Sequence, residues 1–447
     1  MVNRAWFVVL VLLGLVIAAY SNALHTPFQF DDYNVIVFAN GVHSWSAWTG
    51  DLGHGLRPLL KFTYTLNWLS GMDVWGFHLF NLMLHVGNGL LVYALVTRLC
   101  VVSGQEKIGI ATAGLTALLF ALHPAHTEAV TYISGRSTSL MTFFYLAAVL
   151  AYAKGREQNH ALSLYLISPL MFVLAVASKE TAVTLPCALL LWEACFYPAA
   201  SWRTVLRKQA LHWCVFFVLA VLLLMQERYW KMMAFSVSLH SVSENLFTQL
   251  HAMSYLLGQL LWPWQMNIDP DLPIRSSWQS VWLDGLLWLV LLGIALWRPR
   301  RNPLVFFALA WLVLQLFPLY VFLPRLDVAN DRQLYLAGWP VLMLIAAGVM
   351  SVLTQAKLRA AVIAILLMFC AGSTWLRNQD YRSEITLWEA TVRDSPHKAR
   401  PQNNLGYAYF LSGRYAEAER AYQTALKNDP NFWRAENNLL RLHENKQ

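Results

Sequence analysis

The sequence predicts an all-α polytopic membrane protein that carries a short helical module at its C-terminal end. Three observations lead to this fold class. Of the 447 residues, 57% are hydrophobic and only 13% are charged, far from the balance of a soluble globular protein. Apolar stretches long enough to cross a bilayer recur through residues 1–377, and from residue 399 they give way to the spacing of a helical repeat.

The basic residues set the predicted topology. Small groups of Arg and Lys follow alternate apolar stretches, and the positive-inside rule places all of these groups on the cytoplasmic side. This gives about eleven transmembrane helices, with the N-terminus inside and the C-terminus outside. The predicted spans are 6–24, 77–97, 109–122, 139–153, 162–177, 181–197, 210–226, 284–297, 304–323, 334–351 and 358–376.

The apolar segment 246–262 does not fit this count. A further crossing there would move the cluster Arg298, Arg300 and Arg301 to the outer side. We therefore interpret 246–262 as re-entrant or interfacial, a form that is tolerated where protein buries it. Its polar residues Gln249 and Gln259 agree with this interpretation.

Composition excludes several other classes. The net charge of +8 is dispersed over short loops, so we expect no nucleic-acid partner. All five cysteines lie in or beside apolar segments, and we expect neither a structural disulfide nor a thiolate metal site. The apolar run after Arg4 is interpreted as an uncleaved anchor rather than a signal peptide, because the topology requires it.

Two adjacent carboxylates, Asp31 and Asp32, follow the first predicted span and open a large first outer loop, residues 25–76. Carboxylates in this position can orient an acceptor hydroxyl, take its proton or hold a cation. A divalent cation, Mg²⁺ or Mn²⁺, is thus one option for the pair. A solvated loop that happens to contain two acids is the alternative.

A second polar segment follows the third predicted span. His123, His126 and Glu128 are spaced so that they could share one helical face. Histidines that are structural and lie beside the break at Pro124 are the alternative. Arg136, at the end of the segment, offers the bidentate geometry that suits a lipid phosphate.

The C-terminal segment matches the tetratricopeptide consensus, with one complete repeat at 399–432 and a half-repeat on each side. We therefore predict a membrane domain, 1–377, and an extracytoplasmic repeat module, 378–447. Such repeats bind partner proteins, and a structural cap over the outer loops is the alternative. The residues predicted to contact a partner are Asn404, Tyr407, Tyr409 and Arg414. The consensus positions are Leu405, Gly406, Tyr409, Ala418, Tyr422, Ala425 and Pro430.

Taken in order, these motifs resemble the transmembrane and tetratricopeptide repeat O-mannosyltransferases and their bacterial relatives, in the GT-C glycosyltransferase superfamily. The resemblance runs nearly from end to end, and no single motif carries it. The matching stretches are Phe30-Asp31-Asp32, Arg57-Pro58-Leu59, His78 to Asn88, His123-Pro124 through Arg136, Ser178-Lys179-Glu180, Trp262-Pro263 before Asp269, and Asp331-Arg332 before Tyr335-Leu336.

The resemblance implies an enzyme that transfers sugar from a polyprenyl-phosphate donor to Ser or Thr hydroxyls of exported proteins. Asp31 would activate the hydroxyl, with Asp32 orienting it or helping to hold a cation. The residues expected to contact the donor phosphate or sugar are Arg57, His123, His126, Glu128, Arg136, Lys179, Glu180 and Arg332. For Arg57, bracing of the first loop is the alternative.

One complete repeat instead of a long array indicates a bacterial relative in the inner membrane, with its active site facing outward. This departure leaves the sugar and the acceptor open. Two rival functions also remain. One is a GT-C enzyme that acts on a lipid or polysaccharide, or moves an oligosaccharide en bloc. The other is a non-catalytic scaffold that presents the repeat module; it does not require clustered outer carboxylates and cations.

Overall fold

The computed structural model describes residues 2–53, 55–239, 241–297, 302–322 and 327–444. Within these ranges the secondary structure is helical and includes no strand, which confirms the predicted all-α class. The cluster Arg298, Arg300 and Arg301, on which the predicted topology partly rests, lies outside the described residues.

The helices follow the predicted apolar segments. The first nine are α1 (Val2–Tyr20), α2 (Trp45–Asp51), α3 (Pro58–Ser70), α4 (Asp73–Val102), α5 (Glu106–Leu122), α6 (Thr127–Val130), α7 (Arg136–Gln158), α8 (Ser168–Ser178) and α9 (Leu185–Phe196). The next nine are α10 (Trp202–Leu224), α11 (Glu227–Leu239), α12 (Val242–Leu261), α13 (Trp282–Leu296), α14 (Pro303–Leu316), α15 (Pro318–Phe322), α16 (Leu334–Ala337), α17 (Trp339–Val352) and α18 (Ala356–Asp380).

Short 3₁₀ and π turns connect these helices. They are Ser21–Ala23, Tyr33–Val37, Asn40–Val42, Pro124–His126, Ile133–Gly135, Ser163–Ile167, Glu180–Thr184, Trp278–Ser280 and Asp331–Gln333. The predicted first outer loop is thus largely helical, because α2, α3 and two of the turns, Tyr33–Val37 and Asn40–Val42, lie within residues 25–76.

Within the described ranges, four helices are long and apolar enough to cross a membrane, or up to six if each of two bent pairs forms one span. The bent pairs are Ile108–Leu122 with Pro124–Val130, at 55°, and Asp331–Ala337 with Trp339–Val352, at 65°. The remaining predicted spans also coincide with helices, several of them short, so the count of eleven stays a prediction. The segment 246–262 lies in the continuous helix α12, which is not among the four.

A polar stripe on α4 fastens this helix to its neighbours. Asn81 donates to the Val130 carbonyl at 3.0 Å, and Asn88 donates to the Ser139 carbonyl at 2.9 Å. The His85 ring contacts the Ala121 carbonyl through Nε2 at 2.9 Å and the Tyr335 hydroxyl through Nδ1 at 2.7 Å. Hydrogen bonds of this kind hold helices together where lipid offers no polar partner.

The C-terminal module consists of α19 (Glu384–Asp394), α20 (Ala399–Leu411), α21 (Tyr415–Asn428) and α22 (Trp433–Glu444). Helices α20 and α21 form the antiparallel pair expected for the complete repeat. α18 continues to Asp380, three residues past the boundary predicted at 377.

The module packs directly on the membrane domain. Leu387, Trp388 and Leu405 form one buried apolar cluster with Tyr132 and Ile268, which belong to loops of the membrane domain. Burial of such a cluster is the main force that holds two packed units together. The module therefore caps the end of the helix bundle at which the outer loops meet.

The close approach of α20 and α21 depends on Gly406. A Cβ at this position would lie 2.7 Å from the Tyr422 ring and 3.2 Å from the Ala418 carbonyl oxygen. We expect Gly406→Ala to lower the free energy of unfolding of the module by about 1–3 kcal/mol, because the ring has to move. Thermal unfolding and limited proteolysis of the full chain measure this.

Gly372→Ala in α18 provides the matched control, because nothing lies within 4 Å of a Cβ built there. Alanine in an open helical position stabilises by about 0.5–1 kcal/mol relative to glycine. The two substitutions should therefore have opposite signs. Equal melting temperatures for Gly406→Ala and the unchanged protein would contradict the packing described here.

Candidate active site

A polar cavity of about 460 Å³ lies where the outer loops of the membrane domain meet. It is bounded by the first outer loop, the turn before α7, the start of the segment after α8 and the loop before α16. Four cations and two carboxylates face it, so its charge suits an anionic ligand. These charged residues are Asp31, Asp51, Arg57, Lys61, Lys179 and Arg332.

Asp31 is presented to the cavity by an unusual backbone turn. Phe30, the residue before it, has φ 48°, a left-handed conformation that costs energy for a side chain of this size. Two groups of the repeat module hold it: the Glu384 carboxylate accepts the Phe30 N–H at 2.6 Å, and the Trp388 ring packs edge-on at 5.1 Å. The position of Asp31 therefore depends on the module.

The environment of Asp31 suits a proton acceptor. Its carboxylate is half-buried, and its backbone N–H donates to the Tyr132 hydroxyl at 3.0 Å. Burial raises the pKa of Asp31, and the nearby Arg332 guanidinium opposes this shift. A carboxylate whose pKa is raised towards the working pH is a better general base than a fully solvated one.

Asp32 is turned away from the cavity and is 1% exposed. Its Oδ1 accepts the backbone N–H of Ser134 at 2.8 Å and the hydroxyl of the same residue, and its Oδ2 accepts the N–H of Gln29 at 3.0 Å. Burial raises the pKa of Asp32 to about 7, although these hydrogen bonds oppose the shift. Asp32 therefore joins the first outer loop to the turn before α7, and this is a positioning role.

Gly135 allows that turn to pack. A Cβ there would lie 2.1 Å from the Glu128 carbonyl oxygen, so no larger residue fits without moving the backbone. The same close approach brings Ser134 within reach of Asp32 and fixes α6 beneath the cavity. The motif residues Ser134-Gly135 thus have a steric explanation.

Of the neighbouring charges, Arg332 has the largest electrostatic effect on the pKa of Asp31. A buried carboxylate, that of Glu128, positions Arg332. Glu128, 1% exposed, accepts the Arg332 backbone N–H at 3.0 Å and pairs with its Nε at 3.3 Å. The Asp327 carboxylate lies 3.8 Å from the terminal NH2 nitrogen of Arg332. Glu128 therefore orients Arg332, and the structure places Arg332, not Glu128, on the cavity wall.

Arg57 and Glu180 form a bidentate pair at the opposite wall. Arg57 Nε donates to Oε2 at 2.8 Å and the terminal NH2 group to Oε1 at 2.5 Å. Burial alone would raise the pKa of Glu180, but Arg57 lowers it to about 2. Arg57 occupies the N-cap position of α3, before Pro58, with φ 57° and without a side-chain capping hydrogen bond. Its side chain lines the cavity.

Two lysines complete the positive lining. Lys179 is largely buried and donates to the Thr138 hydroxyl at 2.8 Å. Lys61 pairs with Asp51 of α2. The Lys61 backbone N–H donates to the Arg57 carbonyl at 3.1 Å, so the two residues lie one turn apart at the start of α3.

His123, His126 and Arg136 lie outside this cavity. The ring nitrogens of His123 contact the Leu260 carbonyl at 3.0 Å and the Ala125 N–H at 3.2 Å, and His126 Nδ1 contacts the Phe120 carbonyl at 2.7 Å. These contacts match the structural alternative for the two histidines. Neither ring lines the cavity, and contact of the two histidines with a donor stays a prediction.

Arg136 is fully buried and serves as an anchor for three helices. Its guanidinium donates to the Asn81 side chain at 2.7 Å, the Thr63 carbonyl at 3.2 Å and the Phe77 carbonyl at 2.9 Å. The Tyr64, Phe77 and Phe80 rings also surround it at 4.5–5.4 Å. These partners hold the Arg136 side chain away from the cavity lining.

The four residues predicted to contact a partner occupy different settings on the module. Tyr407 is 46% exposed, and Asn404 is half-buried. Tyr409 donates to Glu389 at 2.7 Å, and the Arg414 guanidinium lies 4.4 Å above the Tyr409 ring while pairing with Glu417 at 2.7 Å. Of the four, Tyr407 and Arg414 are exposed, and partner contact by this set stays a prediction.

Several contributors to the site were missed by sequence reasoning. Lys61 could have been found from its position four residues after Arg57, just beyond the motif Arg57-Pro58-Leu59. Tyr132 lies inside the His123 to Arg136 segment, but its contact with Asp31 joins residues a hundred positions apart, and no local pattern signals it. The same holds for Asp327 and for the module residue Arg400, which pairs with it at 2.5 Å.

A larger groove of about 920 Å³ lies elsewhere. It is bounded by the loop before α5, the start of α14 and the C-terminal half of α17. Glu106 is the charged residue in its lining, which is otherwise mostly apolar. Because chemistry on a phosphate or hydroxyl needs clustered polar groups, the smaller cavity is the better candidate for the active site.

These observations define a class of protein. It is a multi-helix membrane protein in which an acid and several cations surround one cavity and a repeat module caps the bundle. The Tetratricopeptide repeat family matches residues 399–432, the bounds predicted for the complete repeat. No solved structure matches the chain.

Three curated relatives match over nearly the whole chain. Protein O-mannosyl-transferase Tmtc3 of Drosophila melanogaster is 25% identical over 96% of this chain and 57% of its own length. Protein O-mannosyl-transferase F38B6.6 of Caenorhabditis elegans is 27% identical over 95% and 63%, and Protein O-mannosyl-transferase TMTC3 of Homo sapiens 24% identical over 97% and 53%.

The chain is thus a homologue of the TMTC protein O-mannosyl-transferases, which confirms the resemblance drawn from the sequence motifs. It spans a little over half the length of these relatives.

The contrast between the two adjacent acids is open to test. Asp32→Asn keeps one acceptor for Ser134 but turns an NH2 group towards the Gln29 N–H, so a buried hydrogen bond is lost. We expect the free energy of unfolding to fall by about 1–3 kcal/mol. Thermal unfolding in detergent measures this. Asp31→Asn, at the half-buried cavity wall, is the matched control, and equal losses for the two variants would contradict the assignment.

Proposed function

We propose that the chain is a membrane glycosyltransferase that transfers one sugar from a polyprenyl-phosphate donor to Ser or Thr hydroxyls of exported proteins. The observation that carries this proposal is the meeting of Asp31 with Arg57, Lys179 and Arg332 around one cavity. The relatives' names add the reaction class, protein O-mannosyl transfer, and make mannose the first sugar to test.

In this reaction the acceptor hydroxyl oxygen forms a bond to the anomeric carbon while the bond from that carbon to the lipid phosphate breaks. Asp31 would accept the hydroxyl proton, and the displaced lipid phosphate would carry the electron pair. Arg332, Lys179 and Arg57 would stabilise the negative charge that develops on the phosphate. Three other carboxylates position these groups. Asp32 holds the first outer loop, Glu128 holds Arg332, and Glu180 holds Arg57.

The predicted divalent cation fits the Asp31–Asp32 pair poorly. Both Asp32 oxygens accept hydrogen bonds from protein donors, which leaves Asp31 as the carboxylate of the pair that faces the cavity. Among the described residues, no group of three or more His, Cys, Asp or Glu side chains is placed to hold a metal. The steps above are therefore not routed through a metal ion, and metal dependence stays a prediction.

The repeat module gives the proposal its protein acceptor. Repeats of this kind bind proteins, and the module lies beside the cavity through Phe30 and Trp388. A GT-C enzyme with a lipid or polysaccharide acceptor is the second candidate, and transfer assays with a peptide and with a lipid acceptor distinguish the two. A non-catalytic scaffold leaves the converging acid and cations without a role.

Asp31→Asn tests the catalytic assignment. The substitution keeps the size of the side chain and removes its capacity to accept a proton at neutral pH. We expect transfer to a Ser/Thr peptide to fall by about 10²-fold or more. The rate is measured with purified protein and polyprenyl-phosphate mannose. Asp271→Asn, an exposed acid on the same predicted face, should keep the full rate; near-normal transfer by Asp31→Asn would move the chemistry elsewhere.

The proposal also places the cavity and the module outside the cytoplasm, in a bacterial inner membrane. The meeting of Asp31, Lys179, Arg332 and the module at one end of the bundle supports a single outer face. A reporter that is active only outside the cytoplasm should be active after Gln447 and inactive after Arg301 or Lys208. Activity after Arg301 would mean that α12 crosses the membrane and that the predicted topology is wrong.

A further inference from the structure

A chain of charges connects the repeat module to the cavity. Arg400, in the first turn of α20, pairs with Asp269 through Nε and NH2, each at 2.6 Å, and with Asp327 Oδ1 through NH1 at 2.5 Å. The other oxygen of Asp327 lies 3.8 Å from the Arg332 guanidinium. One carboxylate therefore stands between an arginine of the module and an arginine of the cavity, and it lies much closer to the former.

We propose that Arg400 is a positioning residue, which restrains Asp327 so that the Arg332 guanidinium stays available to the donor phosphate. This inference rests on the proposed function, in which Arg332 binds that phosphate. It gives the module a part in donor binding that is separate from any recruitment of the acceptor protein.

The balance of charge supports this role. Arg332 already has one carboxylate partner, the buried Glu128. If Arg400 were absent, Asp327 would lose the guanidinium that pairs with its Oδ1 at 2.5 Å, and the Arg332 guanidinium, 3.8 Å from its Oδ2, would remain beside it. Asp327 would then compete with the donor phosphate for the same nitrogen atoms, because two anions cannot both pair closely with one end of a guanidinium.

Lys398 allows positioning to be separated from simple docking. It pairs with the same buried Asp269, at 2.5 Å, and donates to the Pro270 carbonyl at 3.1 Å. Lys398 thus contributes to the same contact between module and membrane domain, and the ion pairs described for it do not include Asp327. Arg400→Gln and Lys398→Gln each remove one positive charge from this contact, but we expect only the former to release Asp327.

The experiment measures initial rates with the full-length protein, varying polyprenyl-phosphate mannose at a fixed short Ser/Thr peptide, and then varying the peptide. A short peptide is used so that protein docking by the module does not enter. We expect Arg400→Gln to raise the KM for the donor about tenfold and to leave the KM for the peptide unchanged. Lys398→Gln should lower the melting temperature and leave both KM values unchanged.

The double variant provides the decisive comparison. Removing the competing carboxylate with Asp327→Asn in the Arg400→Gln background should return the donor KM towards the original value. A purely structural contact predicts the reverse, a double variant at least as impaired as either single one. A donor KM that is unchanged in Arg400→Gln, raised equally in Lys398→Gln, or not restored in the double variant would overturn the proposal.

Two further results keep the test unambiguous. If Arg400→Gln does not fold, Asp327→Asn alone tests the same point, because it should leave the donor KM at or below the original value; a higher KM would refute the role. If the unaltered protein transfers no sugar to peptide, the proposed function fails. If it does transfer sugar and the variants behave as docking mutants, only the role of Arg400 fails.

Discussion

The ion pair between Glu128 and Arg332 is the interaction on which the geometry of the site depends. Glu128 is almost completely buried, and a buried carboxylate without a partner would cost several kcal/mol. Arg332 meets this requirement twice, with its guanidinium and with its backbone N–H. The pair therefore joins the segment after α5 to the loop before α16, and each of the two bent helix pairs contributes one partner.

Other buried polar contacts extend the same arrangement. Asp32 ties the first outer loop to the turn at Ser134, and Arg136 holds α3, α4 and α7 together beneath it. Asp31 lies among these anchors but is itself only half-buried. The site thus has a frame of buried, hydrogen-bonded polar groups around a small number of groups that can still bind a ligand, which is the arrangement that preorganised catalysis requires.

Sequence reasoning was most successful where a signal is local. Hydropathy predicted helices in each apolar segment, and the repeat spacing predicted the bounds 399–432, because those patterns depend on neighbours within a few turns. Arg57, Lys179 and Arg332 were expected to share a site with Asp31, and the cavity brings them together.

The division of roles within that site could not be predicted. Asp31 and Asp32 are adjacent and chemically identical, and only the positions of Ser134 and Gln29 decide that one faces the cavity and the other does not. Arg136 has the residue type of a phosphate ligand but acts as a buried anchor, since its acceptors come from α3 and α4. Such distinctions arise from contacts between distant parts of the chain.

The size of the cavity has a consequence for the donor. At about 460 Å³ it lies towards the lower end of the roughly 300–1,000 Å³ typical of small-ligand sites. Such a volume suits a phosphate with a single sugar ring, while a long isoprenoid chain has to remain outside, against the apolar surface of the bundle and the lipid around it. The protein would thus bind the phosphate and sugar of its donor, while the isoprenoid chain stays in the lipid bilayer. An oligosaccharide of many rings would extend out of the cavity into water, beyond the reach of the residues that define the site.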